Sequence, residues 1–161
     1  MPLKILRLVS MLLVALVVGL AFAHVLERPA KMHYDAAFYI ALQKSLYVHW
    51  GPPQLGGFLE PLAIAATGLT AFFNRKRRFI LSANLGALLL LLLAFPLVFF
   101  WWVAPANAGF AAASLSSIPA DWTALRSSWE TGHVIRFVLQ FLALALLGWS
   151  LTLDAPHGAS S

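Results

Sequence analysis

The stretch that decides the fold is Trp122-Thr-Ala-Leu-Arg126-Ser-Ser-Trp129-Glu130-Thr-Gly-His133-Val-Ile-Arg136. Its indole, guanidinium and imidazole groups recur every three or four residues, which predicts a helix that carries them on one face. An apolar run over 134–153 follows, interrupted only by Arg136, Gln140 and small residues. Charges that lead into such a run are costly in lipid and need partners on other helices. The stretch therefore predicts a bundle of membrane-spanning helices.

The composition of the rest of the chain agrees with a membrane protein. Of 161 residues, 61% are hydrophobic and only 11% are charged, far from the balance of soluble domains. The absence of cysteine excludes disulfides and thiolate metal sites, and the grouped positive charges give no nucleic-acid footprint. We predict an all-α integral membrane four-helix bundle, a single domain over residues 1–161 whose spans cover about 8–26, 56–73, 79–103 and 133–153.

The first apolar run has an alternative interpretation. A basic start, an apolar centre and the Ala21-Phe22-Ala23 triplet are typical of a cleavable signal peptide. The run is long for a signal core, so we predict a retained span over 8–26.

A short helix is predicted between spans 1 and 2, at about 35–50. Asp35 suits its N-cap, and Gly51 with the two prolines that follow ends it. Tyr39, Tyr47 and Trp50 are residue types found at the lipid–water boundary, so we expect this helix to be interfacial.

Four spans place both termini on the same side of the membrane. Lys4, Arg7 and the basic run 75–78 share that side, so the positive-inside rule predicts a multi-pass protein of the cell (inner) membrane with cytoplasmic termini. The strongly polar residues at the other span ends then lie at one outward level. Because polar groups at membrane depth turn toward each other, we predict one polar pocket there.

The residues of this pocket suggest a metal site. Glu130-x-x-His133 places a carboxylate and an imidazole on one helix face, His24-x-x-Glu27 is the reverse, and Glu60 adds a third carboxylate. Together they would suit iron, manganese or zinc, although nearby arginines would repel a cation. A haem held between His24 and His133 is a further alternative.

A purely structural interpretation stands beside the metal site. The acids and bases would then only neutralise each other and hold the bundle together. The pairs expected in that case are Arg126 with Glu130, Arg136 with Glu60, and Glu27 with Arg28.

Four segments spread along the chain also resemble one family of membrane proteins. They are His24-Val-Leu-Glu27-Arg-Pro29-Ala-Lys31, Leu59-Glu60-Pro61, Pro105-Ala-Asn107 and the Trp122–Arg136 stretch. Together they resemble the anthrone oxygenase-like family of small four-helix membrane proteins, most of which are a domain of unknown function. The resemblance implies an oxidoreductase that oxidises a polycyclic aromatic or phenolic substrate with molecular oxygen, and it attaches no firm cofactor to that activity.

If this activity carries over, the reaction needs a base and a group that stabilises an anion. His133, oriented by Glu130, is the candidate base, and His24 with Glu27 is the second choice. Arg126 or Arg136 would stabilise the anion.

The candidate substrate-binding residues are Trp122 and Trp129, which would pack a flat substrate, together with Asn107 and Arg136. The competing function is a non-enzymatic membrane subunit or carrier whose pocket binds an ion, a lipid head group or a partner.

Overall fold

Helices account for nearly all of the structure. The computed structural model describes residues 2–51 and 54–153, and four of its helices are long and apolar enough to cross a membrane. The helices are α1 (Pro2–Lys31), α2 (Ala36–Ser45), α3 (Leu55–Phe73), α4 (Arg78–Leu92), α5 (Ala104–Ala112) and α6 (Trp122–Thr152). A 3-10 turn covers Tyr47–His49, and a π-helical segment, here called the π segment, covers Leu93–Val103 between α4 and α5.

The predicted fold class is confirmed, but three spans are longer than their apolar runs. Helix α1 extends beyond 8–26 at both ends, and α6 already begins at Trp122. Helix α4, the π segment and α5 are continuous, so the helix of the third span runs past its predicted end at 103 to Ala112. An apolar run marks the part of a helix that contacts lipid. The helix itself can continue into polar residues, because its backbone groups stay hydrogen-bonded there as well.

The short helix between spans 1 and 2 is also confirmed. The Asp35 carboxylate accepts a hydrogen bond from the Phe38 amide at 2.8 Å, which is the predicted N-cap. Its buried face is Tyr39, Ile40 and Gln43. At its other end the Lys44 ammonium donates to the Ala113 carbonyl at 2.6 Å, so a cation lies at the carboxyl end of α5.

The bundle is arranged around α1 and α6. Helix α1 packs against α3 and α6, while α6 also packs against α4 and the π segment. Small residues such as Ala63, Ala87 and Ala143 are almost fully buried, which allows the helix backbones to approach closely. Arg7 donates to the Ser150 carbonyl and joins the start of α1 to the end of α6. The start of α1 therefore lies beside the end of α6, as an even number of antiparallel spans requires.

Pro96 marks the most irregular part of the third span. Proline has no amide donor and its ring displaces the preceding turn, so the sequence predicts a kink here. The structure shows Pro96 within a π-helical segment of eleven residues. A π-helix repeats every four to five residues, so Phe95, Phe99 and Phe100 share one face, and all three line the same cavity.

Gly132 allows α6 to pack tightly against the π segment. A Cβ atom there would lie 2.8 Å from Cγ2 of Val103 and 3.2 Å from Cβ of Trp102. Valine is stiff at χ1 and a Cβ moves only with its backbone, so neither neighbour yields easily. Gly148, on the same helix, has nothing within 4 Å of such an atom.

We therefore expect Gly132→Ala to lower the free energy of unfolding by about 1–3 kcal/mol through overpacking. The matched control Gly148→Ala should be neutral or stabilise by up to about 1 kcal/mol, because alanine is the better helix former. Unfolding in mixed detergent micelles, followed by near-UV circular dichroism, measures both. A Gly132→Ala protein as stable as the parent would contradict the close contact.

Candidate functional site

Two histidines from different spans form the centre of the site. The rings of His24 (α1) and His133 (α6) have centroids 4.0 Å apart, and both residues are buried. Trp129 lies 4.2 Å from the His133 ring, while Tyr47 and Trp50 lie 5.0 and 4.9 Å from the His24 ring. The imidazole pair is therefore enclosed by aromatic rings contributed by α6 and by the segment after α2.

A buried lysine lies behind this aromatic shell. Lys31, only 1% exposed, places Nζ 3.2 Å from Oε1 of Glu130 and 3.4 Å from Oε2 of Glu27. Tyr39 donates to Oε1 of Glu130 at 3.0 Å, and Tyr47 donates to Oε2 of Glu27. One cation thus joins two carboxylates from different helices, and each carboxylate also accepts from a tyrosine.

The two tyrosines keep their protons. Burial raises the pKa of the Tyr39 hydroxyl above its ordinary value, and the neighbouring charge of Glu130 raises it further. Burial likewise raises the pKa of the Tyr47 hydroxyl, and its hydrogen bond to Glu27 raises this pKa further. Both hydroxyls are therefore donors, and neither adds a negative charge to a network that already has two carboxylates.

A second ion pair joins α3 to α6. Nη2 of Arg136 lies 2.6 Å from Oε1 of Glu60, and Gln140 donates to the same oxygen at 2.5 Å. Nη1 of Arg136 lies 3.5 Å from Nδ1 of His133, and the guanidinium lies 5.1 Å from the Phe99 ring centroid. A guanidinium only donates, so Nδ1 of His133 is the acceptor and the ring proton is on Nε2.

These groups meet at a cavity of about 690 Å³, a volume suited to a small organic ligand. Its walls are largely apolar, with several aromatic rings, and its polar lining includes His24, Gln43, Lys44, Glu60, Asn107, His133, Arg136 and Gln140. Among the described residues, Nδ1 of His24, Nε of Arg136 and Oε1 of Gln140 are buried without a hydrogen-bond partner. Unsatisfied polar atoms at a cavity wall are the groups that a polar substituent of a ligand would satisfy.

Some predicted site residues lie on this cavity and others do not. His24, Glu60, Asn107, Trp129, His133 and Arg136 line it. Oδ1 of Asn107 accepts from the Trp129 indole at 2.8 Å and so fixes that ring. Glu27 and Glu130 lie behind the cavity on Lys31.

Arg126 and Trp122 are further from it. The Arg126 guanidinium donates to the Tyr34 carbonyl at 2.9 Å and lies 4.6 Å from the Trp122 ring centroid. Neither residue is part of the cavity lining.

The ion pairs differ in part from those expected. Arg136 pairs with Glu60, as the sequence suggests. Glu130 pairs with Lys31, whereas Arg126 donates to backbone carbonyls. Glu27 also pairs with Lys31. Lys31 is the site residue that the sequence analysis did not identify. It follows Glu27 by four residues and His24 by seven, and this spacing indicates that all three lie on one helix face.

The metal-ligand set predicted from sequence was His24, Glu27, Glu60, Glu130 and His133. Within residues 2–51 and 54–153, no three histidine, aspartate or glutamate side chains are grouped closely enough to share an ion. Glu27 and Glu130 are held by Lys31, and Glu60 is held by Arg136, so each acid already faces a cation. This arrangement does not fit a resident metal, and two imidazole rings in contact leave no space for a haem between them.

Comparison with known proteins found no relative: no protein-family model, curated protein or solved structure matches the chain. Function therefore has to be argued from the site itself.

The buried charges give a sharp stability test. We expect Lys31→Met to lower the free energy of unfolding by about 3–5 kcal/mol, because it leaves the buried Glu130 carboxylate, and the half-buried Glu27 carboxylate, without their cation. Adding Glu130→Gln should recover part of this loss, since one uncompensated charge is removed with it. Detergent unfolding curves of both single variants and the double variant give the coupling energy.

The matched control is Lys76→Met, at an exposed lysine in the loop between α3 and α4, which should change stability by no more than about 0.5 kcal/mol. Additive effects of Lys31→Met and Glu130→Gln would show that the two groups do not interact.

Proposed function

We propose that this protein is a membrane oxygenase, of the anthrone oxygenase-like type that its sequence resembles, which oxidises a flat phenolic or polycyclic aromatic substrate with molecular oxygen. The observation that carries the proposal is the histidine pair at the wall of an aromatic cavity, with the Arg136 guanidinium beside it. A flat apolar ring system suits the aromatic walls. A base and a cation side by side suit a reaction in which a proton leaves carbon and negative charge develops on oxygen.

His24 is the better placed of the two histidines to act as the base. Its buried Nδ1 has no hydrogen-bond partner among the described residues, whereas Nδ1 of His133 accepts from Arg136. Oε2 of Glu27 lies 3.9 Å from Nδ1 of His24 and would stabilise the imidazolium formed there. His133 then serves as an Nε2–H donor, and Glu130, whose carboxylate binds Lys31 and Tyr39, supports the site from behind.

The reaction balances with dioxygen as the oxidant. His24 removes a proton from the methylene that lies across the central ring from the ketone, and Arg136 stabilises the negative charge that the conjugated rings carry to the ketone oxygen. The carbanion transfers its electrons to dioxygen as a carbon–oxygen bond forms, and the peroxide takes a proton to become a hydroperoxide. Loss of the second carbon-bound proton, with cleavage of the oxygen–oxygen bond, expels hydroxide that leaves as water. One methylene and one dioxygen thus give one carbonyl and one water.

The activity has a direct test with a hydroxylated anthrone as the probe and the protein in lipid nanodiscs. Oxygen uptake and the absorbance of the quinone product should rise together in a one-to-one ratio. His24→Gln should lower the rate about 100-fold or more, the usual contribution of a positioned general base. The matched control His49→Gln changes an exposed histidine outside the cavity lining and should leave the rate unchanged.

A carrier is the second candidate, and one contact favours it. Glu60 already neutralises Arg136, so the cavity would also suit a neutral ligand that is bound without reaction. Saturable quenching of tryptophan fluorescence by the anthrone, without oxygen uptake above the nanodisc blank, would support the carrier and refute the oxygenase. A protein that neither binds nor oxidises the probe would refute both.

We also propose that the cavity faces away from the cytoplasm of the cell (inner) membrane. Residues 75–78 are exposed and basic and cover the loop between α3 and α4 together with the first residue of α4. The cavity is built from the opposite ends of these helices. The positive-inside rule then places both termini with the basic loop in the cytoplasm.

Orientation can be measured because the parent chain has no cysteine. In intact cells, a membrane-impermeant maleimide should label Ser116→Cys, in the exposed loop before α6, and spare Lys76→Cys. Permeabilised cells, where both should react, provide the control. The reverse pattern in intact cells would overturn the orientation.

A further inference from the structure

One side of the bundle is not closed at the level of the cavity. Helix α3 packs against α1 and α4, and the π segment packs against α6, but packing between α3 and the π segment is slight at most. The cavity is lined from both sides of this gap, by Gly57 and Glu60 of α3 and by Phe95, Phe99 and Phe100 of the π segment. The gap therefore connects the cavity with the side of the bundle.

The position of Phe100 shows where this opening leads. Phe100 contributes to the cavity lining and is nevertheless 61% exposed, so it lies at the boundary between the cavity and the outside. It belongs to the third span, and its exposed neighbours Leu97 and Trp101 are apolar. An exposed apolar surface within a membrane span faces lipid, so the opening leads to the bilayer as well as to the cavity.

The sequence explains why the gap is at this level. Close to the loop between α3 and α4 the two helices approach each other, and a Cβ on Gly68 would be in van der Waals contact with Leu88 at 3.9 Å. Beyond this contact the third span continues as the π segment, which contains Pro96 and packs against α6. The five-residue repeat of the π segment also brings Phe95 and Phe100 to one face, which the tighter α-helix would separate.

We propose that the gap between α3 and the π segment is a lateral portal, through which a flat lipophilic molecule dissolved in the bilayer reaches the histidine pair, and that Phe100 is its gate. The choice of an aromatic ligand rests on the proposed function, whereas the portal rests on packing and exposure. The ligand class is an apolar planar body that carries a hydroxyl group, whose oxygen would accept from the free Nε of Arg136 and whose proton would be donated to Oε1 of Gln140. A lipid acyl chain has no such oxygen.

Access can be measured without turnover. Ala21 is 3% exposed and lines the cavity one turn before His24, so the thiol of Ala21→Cys is reached only through the cavity. The probe is N-(1-pyrenyl)maleimide, a flat polycyclic reagent that partitions into the bilayer of liposomes holding the protein. We expect it to label Ala21→Cys, and we expect Phe100→Ala in the same protein to accelerate labelling several-fold by opening the gate.

Two matched controls separate the portal from simple partitioning. Leu16→Cys lies on the same helix at a residue 57% exposed, outside the cavity lining, so its labelling should not respond to Phe100→Ala. Phe73→Ala removes a phenylalanine of similar exposure, 57%, away from the cavity and should not accelerate labelling of Ala21→Cys. Circular dichroism and gel filtration verify each fold, and Leu20→Cys, which also lines the cavity, replaces Ala21→Cys if that variant does not fold.

The outcomes are distinct. Faster labelling of Ala21→Cys with Phe100→Ala, and unchanged labelling of Leu16→Cys, supports the portal whether or not the protein turns over an anthrone. Equal labelling by a sulfonated, water-soluble maleimide, insensitive to Phe100→Ala, would show access from water and overturn the proposal. Absence of labelling in liposomes, with labelling restored in short-chain detergent, would indicate a lipid acyl chain in the cavity and would also overturn it.

Discussion

The buried ammonium group of Lys31 holds together the end of the molecule where the site is. It lies between a carboxylate of its own helix and one from α6, with the rings of Tyr47 and Trp129 at 4.9 and 4.5 Å. A charge withdrawn from water so completely is tolerable only where opposite charges and hydrogen bonds surround it. Any sliding of α1 along α6 would separate these groups. The register of the two helices, and hence the contact of His24 with His133, therefore depends on this one cation.

The rest of the site follows from that register. Because α1 and α6 are fixed, the aromatic residues of the short segment after α2 can close over the histidines, and α2 is itself tied to α6 through the hydrogen bond from Tyr39 to Glu130. On the opposite side, the Glu60–Arg136 pair fixes α3 to α6. Among the contacts of the described residues, the third span has no ion pair of this kind: Lys44 binds backbone carbonyls at its end and Arg136 lies over the Phe99 ring. It is also the span with the π-helical segment and the lateral gap.

The polar residues at and behind the cavity differ in whether their polar atoms have partners. Glu60, Glu27 and Glu130 each face a cation, so they serve chiefly to compensate charge. At the cavity wall, His24, Arg136 and Gln140 each keep one buried polar atom without a hydrogen-bond partner among the described residues, as does Oε2 of Glu130 behind the wall. Those at the cavity wall are available to a bound ligand. The chemistry is assigned to the histidines and the arginine because they line the cavity, whereas Glu27 and Glu130 lie behind it and Glu60 is held by Arg136.

The sequence alone determined the all-α membrane class, the four spans, the helix between the first two and the cap at Asp35. These features depend on composition, apolar run length and local capping, which are properties of neighbouring residues. It also indicated His24, Glu60 and His133 as site candidates, since polar groups at span ends turn inward.

Tertiary structure decided which acid meets which base, that Lys31 replaces Arg126 as the partner of Glu130, and that Tyr39 and Tyr47 face inward and not lipid. Those choices depend on helix rotation and register across separate spans. Several pairings satisfy the same local pattern with nearly equal energy, and only packing of the whole bundle selects among them.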